Sequence, residues 1–225
     1  GSAGRSDYLQ NQGIESLMPF PPAKSRPCIF EYVYFSRPDS ISQGRSIYSV
    51  RKAIGAALAK ESTVPADVVI PVPDSGTPAA IGYAEEAGVP FELGIIRNHY
   101  VGRTFIEPSQ NIRNFGVKLK HNANRAEIEG RRVVLVDDSI VRGTTSKKIV
   151  QMVRDAGATE VHMRIASPPT ANPCYYGVDT PSREELMAAN MDVATMARQI
   201  GVDSLAFISI NGLYQAVGGV DRDGE

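Results

Sequence analysis

Apolar positions along this chain repeat with two different periods, and the switches between them mark out its elements. From Ser46 to Lys60, the residues Ile47, Val50, Ile54, Ala57 and Leu58 fall at helical spacing with Arg51, Lys52 and Lys60 outside, the pattern of an amphipathic helix. Ala66 to Val72 (ADVVIPV) is a short apolar run rich in β-branched residues, Thr77 to Ala87 is helical in composition, and Phe91 to Ile96 is strand-like. Arg132 to Val136, Thr144 to Ala156 and Glu160 to Ala166 then repeat the order strand, helix, strand. Such alternation predicts an α/β fold, a doubly wound, mostly parallel sheet with helices on both faces.

Two stretches break the pattern. Arg97 to Gly130 is polar, interrupted by Gly102, Pro108 and Gly116, and carries Arg, Lys and His residues with few apolar anchors. Loops of this size inside a compact domain are functional or disordered. In Ser16 to Pro27 (SLMPFPPAKSRP) the prolines exclude regular helix and predict an extended connector at a domain border. The opening GSAG reads as an expression remnant. The expected division is therefore 1–27, remnant and interdomain connector, and 28–225, one domain.

Bulk properties narrow the classes. The 225 residues, 42% hydrophobic and 22% charged, suit one well-packed domain with at most a small appendage. Lys and Arg total 24 against 25 Asp and Glu, a net charge of −1, so no global basic field calls for nucleic acid or an anionic membrane. No apolar run approaches the roughly 20 residues that span a bilayer, and no secretory leader is visible, so a soluble cytoplasmic protein is expected. Two cysteines, Cys28 and Cys174, are too few for a disulfide framework and fit a reducing compartment, although a single bridge stays open on counts alone.

The chemistry concentrates at Val133 to Thr145, VVLVDDSIVRGTT. A buried strand runs into Asp137-Asp138-Ser139 and then Gly143-Thr144-Thr145 at the start of a helix. That order makes a phosphate cradle, because free N–H groups and the helix dipole favour an anion, and Gly143 lets the backbone come close. Ser139, Thr144 and Thr145 add hydroxyl donors. In an open α/β sheet, ligands bind at the carboxyl ends of strands. Two aspartates would repel a phosphate unless the ligand also offers donors; the 2′ and 3′ hydroxyls of a ribose do, and Mg2+ would reconcile acid and phosphate. The plainer alternative, a helix cap beside a solvated acidic loop, does not account for Gly-Thr-Thr following in register. Pro73-Asp74-Ser75-Gly76 also leaves a strand, and Gly76 would let an amide face a diphosphate, though such a turn alone is commonly just a turn.

VVLVDDSIVRGTT resembles the phosphoribosyl-pyrophosphate loop of type I phosphoribosyltransferases, and the wider sequence is similar to one branch of them, the glutamine phosphoribosylpyrophosphate amidotransferases. The supporting stretches are CIFEYVYFSRPDS (Cys28 to Ser40), IPVPDSG (Ile70 to Gly76), RNHYVGRTFI (Arg97 to Ile106), KLKHNANRA (Lys118 to Ala126) and PCYYGVDT (Pro173 to Thr180). They follow the family's order and extend the likeness from about Gly13 to Gly219. The resemblance implies a type I phosphoribosyltransferase sheet with a flexible catalytic loop and a small hood. It implies that Asp137 and Asp138 hold the ribose hydroxyls and, with Ser75, bind Mg2+. Ser139, Arg142, Gly143, Thr144 and Thr145 would surround the 5′-phosphate, and Asp74, Ser75 and Gly76 would form the pyrophosphate loop.

The basic segment with Arg97, His99, Arg103, Arg113, Lys118 and Lys120 resembles the catalytic loop, with Tyr100, Arg103 and Lys118 expected to be catalytic. Cations ordered over the substrate would stabilise departing pyrophosphate and exclude water. Neutral ammonia is already a competent nucleophile, so no triad is needed; His99, His121 and His162 lie in unlike surroundings, and His162, alternating within a strand, reads as structural.

The implied reaction converts 5-phosphoribosyl-1-pyrophosphate and ammonia to 5-phosphoribosylamine and pyrophosphate, the first committed step of purine synthesis. Purine nucleotides would inhibit by competing for the same site. The family takes its ammonia from a preceding glutaminase domain; a chain beginning at Gly1 lacks it and is expected to use free ammonia only. Cys28 and Cys174 match the first half of a 4Fe-4S ligand set, whose other half would lie past Glu225, in keeping with C-terminal truncation; two inert cysteines are the alternative. A homo-oligomer is expected. A binding-only regulatory module and a base-salvage transferase are the competing readings.

Overall fold

The computed structural model describes residues 6–10, 13–17, 21, 28–97, 121–176 and 180–219. The chain divides into two compact units, Gly1–Glu31 and Tyr32–Glu225. In the first, β1 (Ser6–Gln10) and β2 (Gly13–Leu17) form an antiparallel hairpin with Gln10 opposite Gly13. Periodicity carries no signal for this hairpin, whose Ser16 and Leu17 overlap the start of the expected connector.

A π-helical turn covers Glu31–Phe35. A minimal hairpin, β3 (Ile41–Ser42) and β4 (Arg45–Ser46), then delivers the chain into α1 (Ile47–Ser62). Ser46 caps α1, its hydroxyl accepting from the Ser49 amide at 3.3 Å. Next come β5 (Val68–Pro71), α2 (Thr77–Ala87), β6 (Ile95–Arg97), β7 (His121–Ala123), α3 (Arg125–Ile128), β8 (Arg132–Asp137), α4 (Thr144–Asp155) and β9 (Glu160–Ile165). The last part holds a 3-10 turn (Arg183–Glu185), α5 (Met187–Asn190), α6 (Val193–Ile200), β10 (Ser204–Phe207) and α7 (Ile210–Val217).

The main sheet runs in the order β10, β9, β8, β5, with every pairing parallel. Alternate residues serve opposite faces. Val68, Ile70, Val133, Leu135, Val161 and Met163 join Ile149, Val150 and Val153 of α4 and Met196 and Ile200 of α6 in one apolar core. The other face receives α1 and α2; there the Arg164 guanidinium donates from Nε to the Ser62 carbonyl at 2.7 Å. His162 is buried in β9, its ring nitrogens 2.9 Å from Ser204 Oγ and 3.0 Å from Glu160 Oε2, a structural role as its strand position suggests. Among the described residues no helix is long and apolar enough to cross a membrane.

The structure corrects the sequence reading at several places. Phe91 makes only an isolated parallel bridge to Val69, and the chain then leaves the sheet, so that Ile95–Arg97 pairs antiparallel with β7 instead. The alternation fails at Glu92, Leu93 and Gly94, where Leu93 is exposed and Gly94 packs on the Ile70 side chain. The sheet gains β10, whose four residues are too short and too evenly half-buried to show a period. On α1, Arg51 does not lie outside: it is 4% exposed, within the buried stripe that also takes Ala59, whereas Ala57 is only half-buried.

α1 and α2 touch backbone to backbone. A Cβ on Gly55 would lie 1.8 Å from the Ala79 carbonyl oxygen, and one on Gly82 would lie 1.9 Å from the Lys52 carbonyl oxygen. No side chain fits at either point, so the helices must separate if one is added. Gly82→Ala is expected to destabilise the fold by about 1–3 kcal/mol through this overpacking. The check is a urea melt: the midpoint should fall with the slope unchanged, and an unchanged midpoint would contradict the contact.

Candidate functional site

Because β5 and β8 are neighbours in a parallel sheet, the loops that leave them emerge side by side at its carboxyl edge. The Val72 amide extends the ladder by donating to the Val136 carbonyl at 2.9 Å, and the chain then turns through Pro73, Asp74 and Ser75 into α2. The Pro73–Asp74 peptide is cis. A Cβ on Gly76 would stand 2.4 Å from the Val136 carbonyl oxygen and 3.3 Å from Asp137 Cα, so only glycine lets this turn close against the end of β8. The Gly76 amide itself donates to the Val72 carbonyl at 3.1 Å. What the residue contributes here is close approach.

Asp137 and Asp138 sit where β8 ends, 8% and 6% exposed. The Asp138 amide donates to Asp137 Oδ1 at 2.9 Å, and the Ser139 hydroxyl donates to Asp138 Oδ1 at 2.5 Å. The Ser75 hydroxyl, on the first loop, favours the ionised form of the Asp138 carboxyl on the second. A small pocket opens between Asp138, Ser75 and the buried Arg51, walled by Val33, Ile54, Ala79 and Ala166. Burial pushes the Asp137 carboxyl well above the usual range, and the Asp138 charge pushes it further. Burial also raises Asp138, opposed by the Ser139 and Ser75 hydroxyls and by the Arg51 charge.

Past this pair, Gly143 takes a left-handed conformation (φ 73°) as the N-cap of α4, which receives no side-chain cap. Thr144 and Thr145 are exposed on the first turn, so its amides and hydroxyls face outward together. The 3-10 turn and α5 form the small hood over this loop: the Met187 amide donates to the Val141 carbonyl at 2.9 Å. Arg142 does not point its charge at an open cradle. Its Nε lies 2.7 Å from Glu185 Oε2 in the hood, with both side chains about half exposed.

The structure thus brings Asp74, Ser75 and Gly76 to the same edge as Asp137, Asp138 and Ser139, with Gly143, Thr144 and Thr145 opening the adjoining helix. Tyr100, Arg103 and Lys118 lie outside the described residues, as do His99, Arg113 and Lys120. Arg97, which closes β6, forms an ion pair with Asp74 and so joins the root of the basic segment to the first loop. His121 lies in β7. Neither cysteine is in a disulfide; Cys28 is exposed, and the Cys174 sulfur accepts from the Tyr176 amide at 3.4 Å. Among the described residues, no group of three or more His, Cys, Asp and Glu gathers in a metal-binding cluster. Asp137, Asp138 and Ser75 instead offer hard oxygen donors in the number that suits Mg2+ held jointly with a substrate's phosphates.

Arg51 is the site residue that sequence reasoning missed. Its signal was present: it falls four residues after Ile47 and three before Ile54, on the apolar stripe rather than opposite it.

The buried carboxyls carry a pH signature. A carboxyl whose folded pKa is raised binds its proton more tightly in the native state, so its stabilising effect is complete at low pH and is lost as pH rises through the folded value. Without ligand, the fold should therefore lose stability upward from the ordinary carboxylate range. Asp137→Asn should flatten that dependence and raise the melting temperature at neutral pH, measured by thermal melts at stepped pH; a steeper loss in the variant would contradict the assignment.

Residues 45–177 match the phosphoribosyl transferase domain family. An amidophosphoribosyltransferase from Rhizobium etli is 67% identical over 211 residues, covering 93% of this chain and 42% of that protein. A chloroplastic amidophosphoribosyltransferase from Arabidopsis thaliana is 58% identical over 210 residues, covering 93% of this chain and 37% of that one. The solved structure of glutamine phosphoribosylpyrophosphate amidotransferase from B. subtilis, complexed with ADP and GMP, matches with a TM-score of 0.85 and 52% identity, over 98% of this chain and 49% of that chain. The chain spans less than half the length of these relatives. Both loops of the site fall inside the matched residues, and on that agreement of sequence, sheet and site the chain belongs to the phosphoribosyl transferase domain family.

Proposed function

We propose that this chain is the phosphoribosyl-transferring part of an amidophosphoribosyltransferase, replacing the pyrophosphate of 5-phosphoribosyl-1-pyrophosphate with ammonia to yield 5-phosphoribosylamine. The observation that carries the reading is the convergence of two loops from neighbouring parallel strands, with Ser75 and Asp138 lining one pocket, beside the uncapped first turn of α4. Within this reading 28–225 acts as the transferase domain and 1–27 as its connector.

The roles follow from the chemistry each group offers. Asp137 and Asp138 accept the ribose 2′ and 3′ hydroxyls, and the first-turn amides of α4 with Ser139, Thr144 and Thr145 take the 5′-phosphate. Arg142 reaches that phosphate by leaving Glu185, and the 74–76 turn holds the pyrophosphate. The C1–oxygen bond breaks, its electron pair leaving with pyrophosphate, while the ammonia lone pair bonds to C1 and the resulting ammonium loses a proton to solvent. Asp137, Asp138 and Ser75 would hold Mg2+ together with the substrate, and the bound ion would neutralise charge on the leaving group. Tyr100, Arg103 and Lys118 are proposed to cover the leaving pyrophosphate and keep water out.

The same reading carries several further proposals. In the cell, cytoplasmic by this reading, the domain works as a homo-oligomer with a glutaminase domain that delivers ammonia. Cys28 and Cys174 supply half of a 4Fe-4S ligand set in a longer protein; the sequence holds two cysteines where four thiolates are required. The amide bond onto the Cys174 sulfur is of the kind that tunes a cluster thiolate. GMP and AMP, which share the ribose 5′-phosphate, compete for the 137–145 loop.

The direct test is pyrophosphate release with Mg2+ and either ammonium chloride or glutamine. Release is expected with ammonium only, and Asp137→Asn should lower it on the order of 100-fold, as loss of a preorganised polar contact does. Release that needs neither nitrogen source would point to hydrolysis, and release that needs a purine base would favour salvage. Saturating GMP is expected to abolish calorimetric binding of 5-phosphoribosyl-1-pyrophosphate; unchanged binding would overturn the shared site.

A further inference from the structure

Beneath Asp138 lies a charge that the proposed chemistry does not use. Arg51, 4% exposed and in the second turn of α1, donates from Nε to the Tyr32 carbonyl at 2.9 Å and from Nη2 to the Ser36 carbonyl at 2.7 Å. These carbonyls bracket the turn that precedes the β3–β4 hairpin, so one side chain fastens that turn to α1. The same guanidinium lines the pocket with Ser75 and Asp138, and its charge acts on the Asp138 carboxyl.

A buried cation this costly to desolvate persists only where it is paired and hydrogen-bonded. Two backbone carbonyls satisfy donors but carry no full charge. Asp138 is the carboxylate whose charge acts on Arg51. The rigid guanidinium fork serves two separate carbonyls and still presents its delocalised charge to the pocket, which the point charge of lysine on a flexible stem cannot do.

We infer that Arg51 is a positioning residue for this site, clamping the 32–36 turn to α1 and supplying the buried positive charge against which the Asp138 carboxylate is oriented toward ligand. The inference rests on the phosphoribosyl reading above. Arg51 touches no reacting atom in it and acts through Asp138.

A double-mutant cycle tests this, with binding of 5-phosphoribosyl-1-pyrophosphate and Mg2+ followed by calorimetry on the whole chain. Arg51→Met and Asp138→Asn should each weaken binding about tenfold or more, and the double variant should bind no more weakly than Asp138→Asn alone. Arg51→Lys, which cannot hold both carbonyls and still present its charge to the pocket, should melt at lower temperature and bind more weakly than wild type by about threefold or more, and it stands in for Arg51→Met should that variant not fold. Multiplying losses in the cycle, or Met and Lys variants that melt lower and both bind as wild type does, would overturn the role and leave Arg51 purely structural. A folded wild type that binds no 5-phosphoribosyl-1-pyrophosphate would instead bring down the proposed function.

Discussion

The carboxyl edge of this sheet depends on how closely β5 and β8 lie together. Their parallel pairing continues past β5, through the Val72 amide on the Val136 carbonyl, and the turn at Gly76 then rests against that same carbonyl. Nothing larger than a hydrogen fits there. This approach sets Ser75 and Asp138 around one pocket, and so turns two separate strand ends into one site. The glycine contacts between α1 and α2 serve the same end, because they press α1, and with it Arg51, down toward the pocket.

What gathers at that edge is unfavourable without a ligand. Two adjacent carboxylates lie almost out of water; burial resists the ionisation of both, and the Asp138 charge further resists that of Asp137. Hydroxyls from Ser75 and Ser139 and the charge of Arg51 offset part of this cost. The remainder is the kind of local destabilisation that binding sites retain, since a polar ligand or cation relieves it. Arg142 shows the complementary arrangement at the exposed rim. Its pairing with Glu185 is half solvated and therefore cheap to exchange for a phosphate.

The hood and the root of the basic segment are both tied to these loops by polar links. Met187 reaches Val141, and Arg97 reaches Asp74. Each connects a peripheral part of the chain to a turn that the sheet holds rigidly.

Local patterns were legible in the amino-acid order because their causes are local. The β-branched runs at 68–71 and 132–137 and the stripe along α1 follow from strand and helix periods alone, and the Asp-Asp-Ser and Gly-Thr-Thr order marks a polar loop between a strand and a helix. The sequence by itself determined the class of sheet and the strand-to-helix loop on which the proposed function rests. Only the tertiary structure decided that Ser75 and Asp138 line one pocket, that Gly76 packs against the end of β8, that Phe91–Ile96 leaves the sheet, and that Arg51 turns inward. Each of these depends on which segments become neighbours, and the energy of a buried charge is set by those neighbours, not by the residues beside it in the chain.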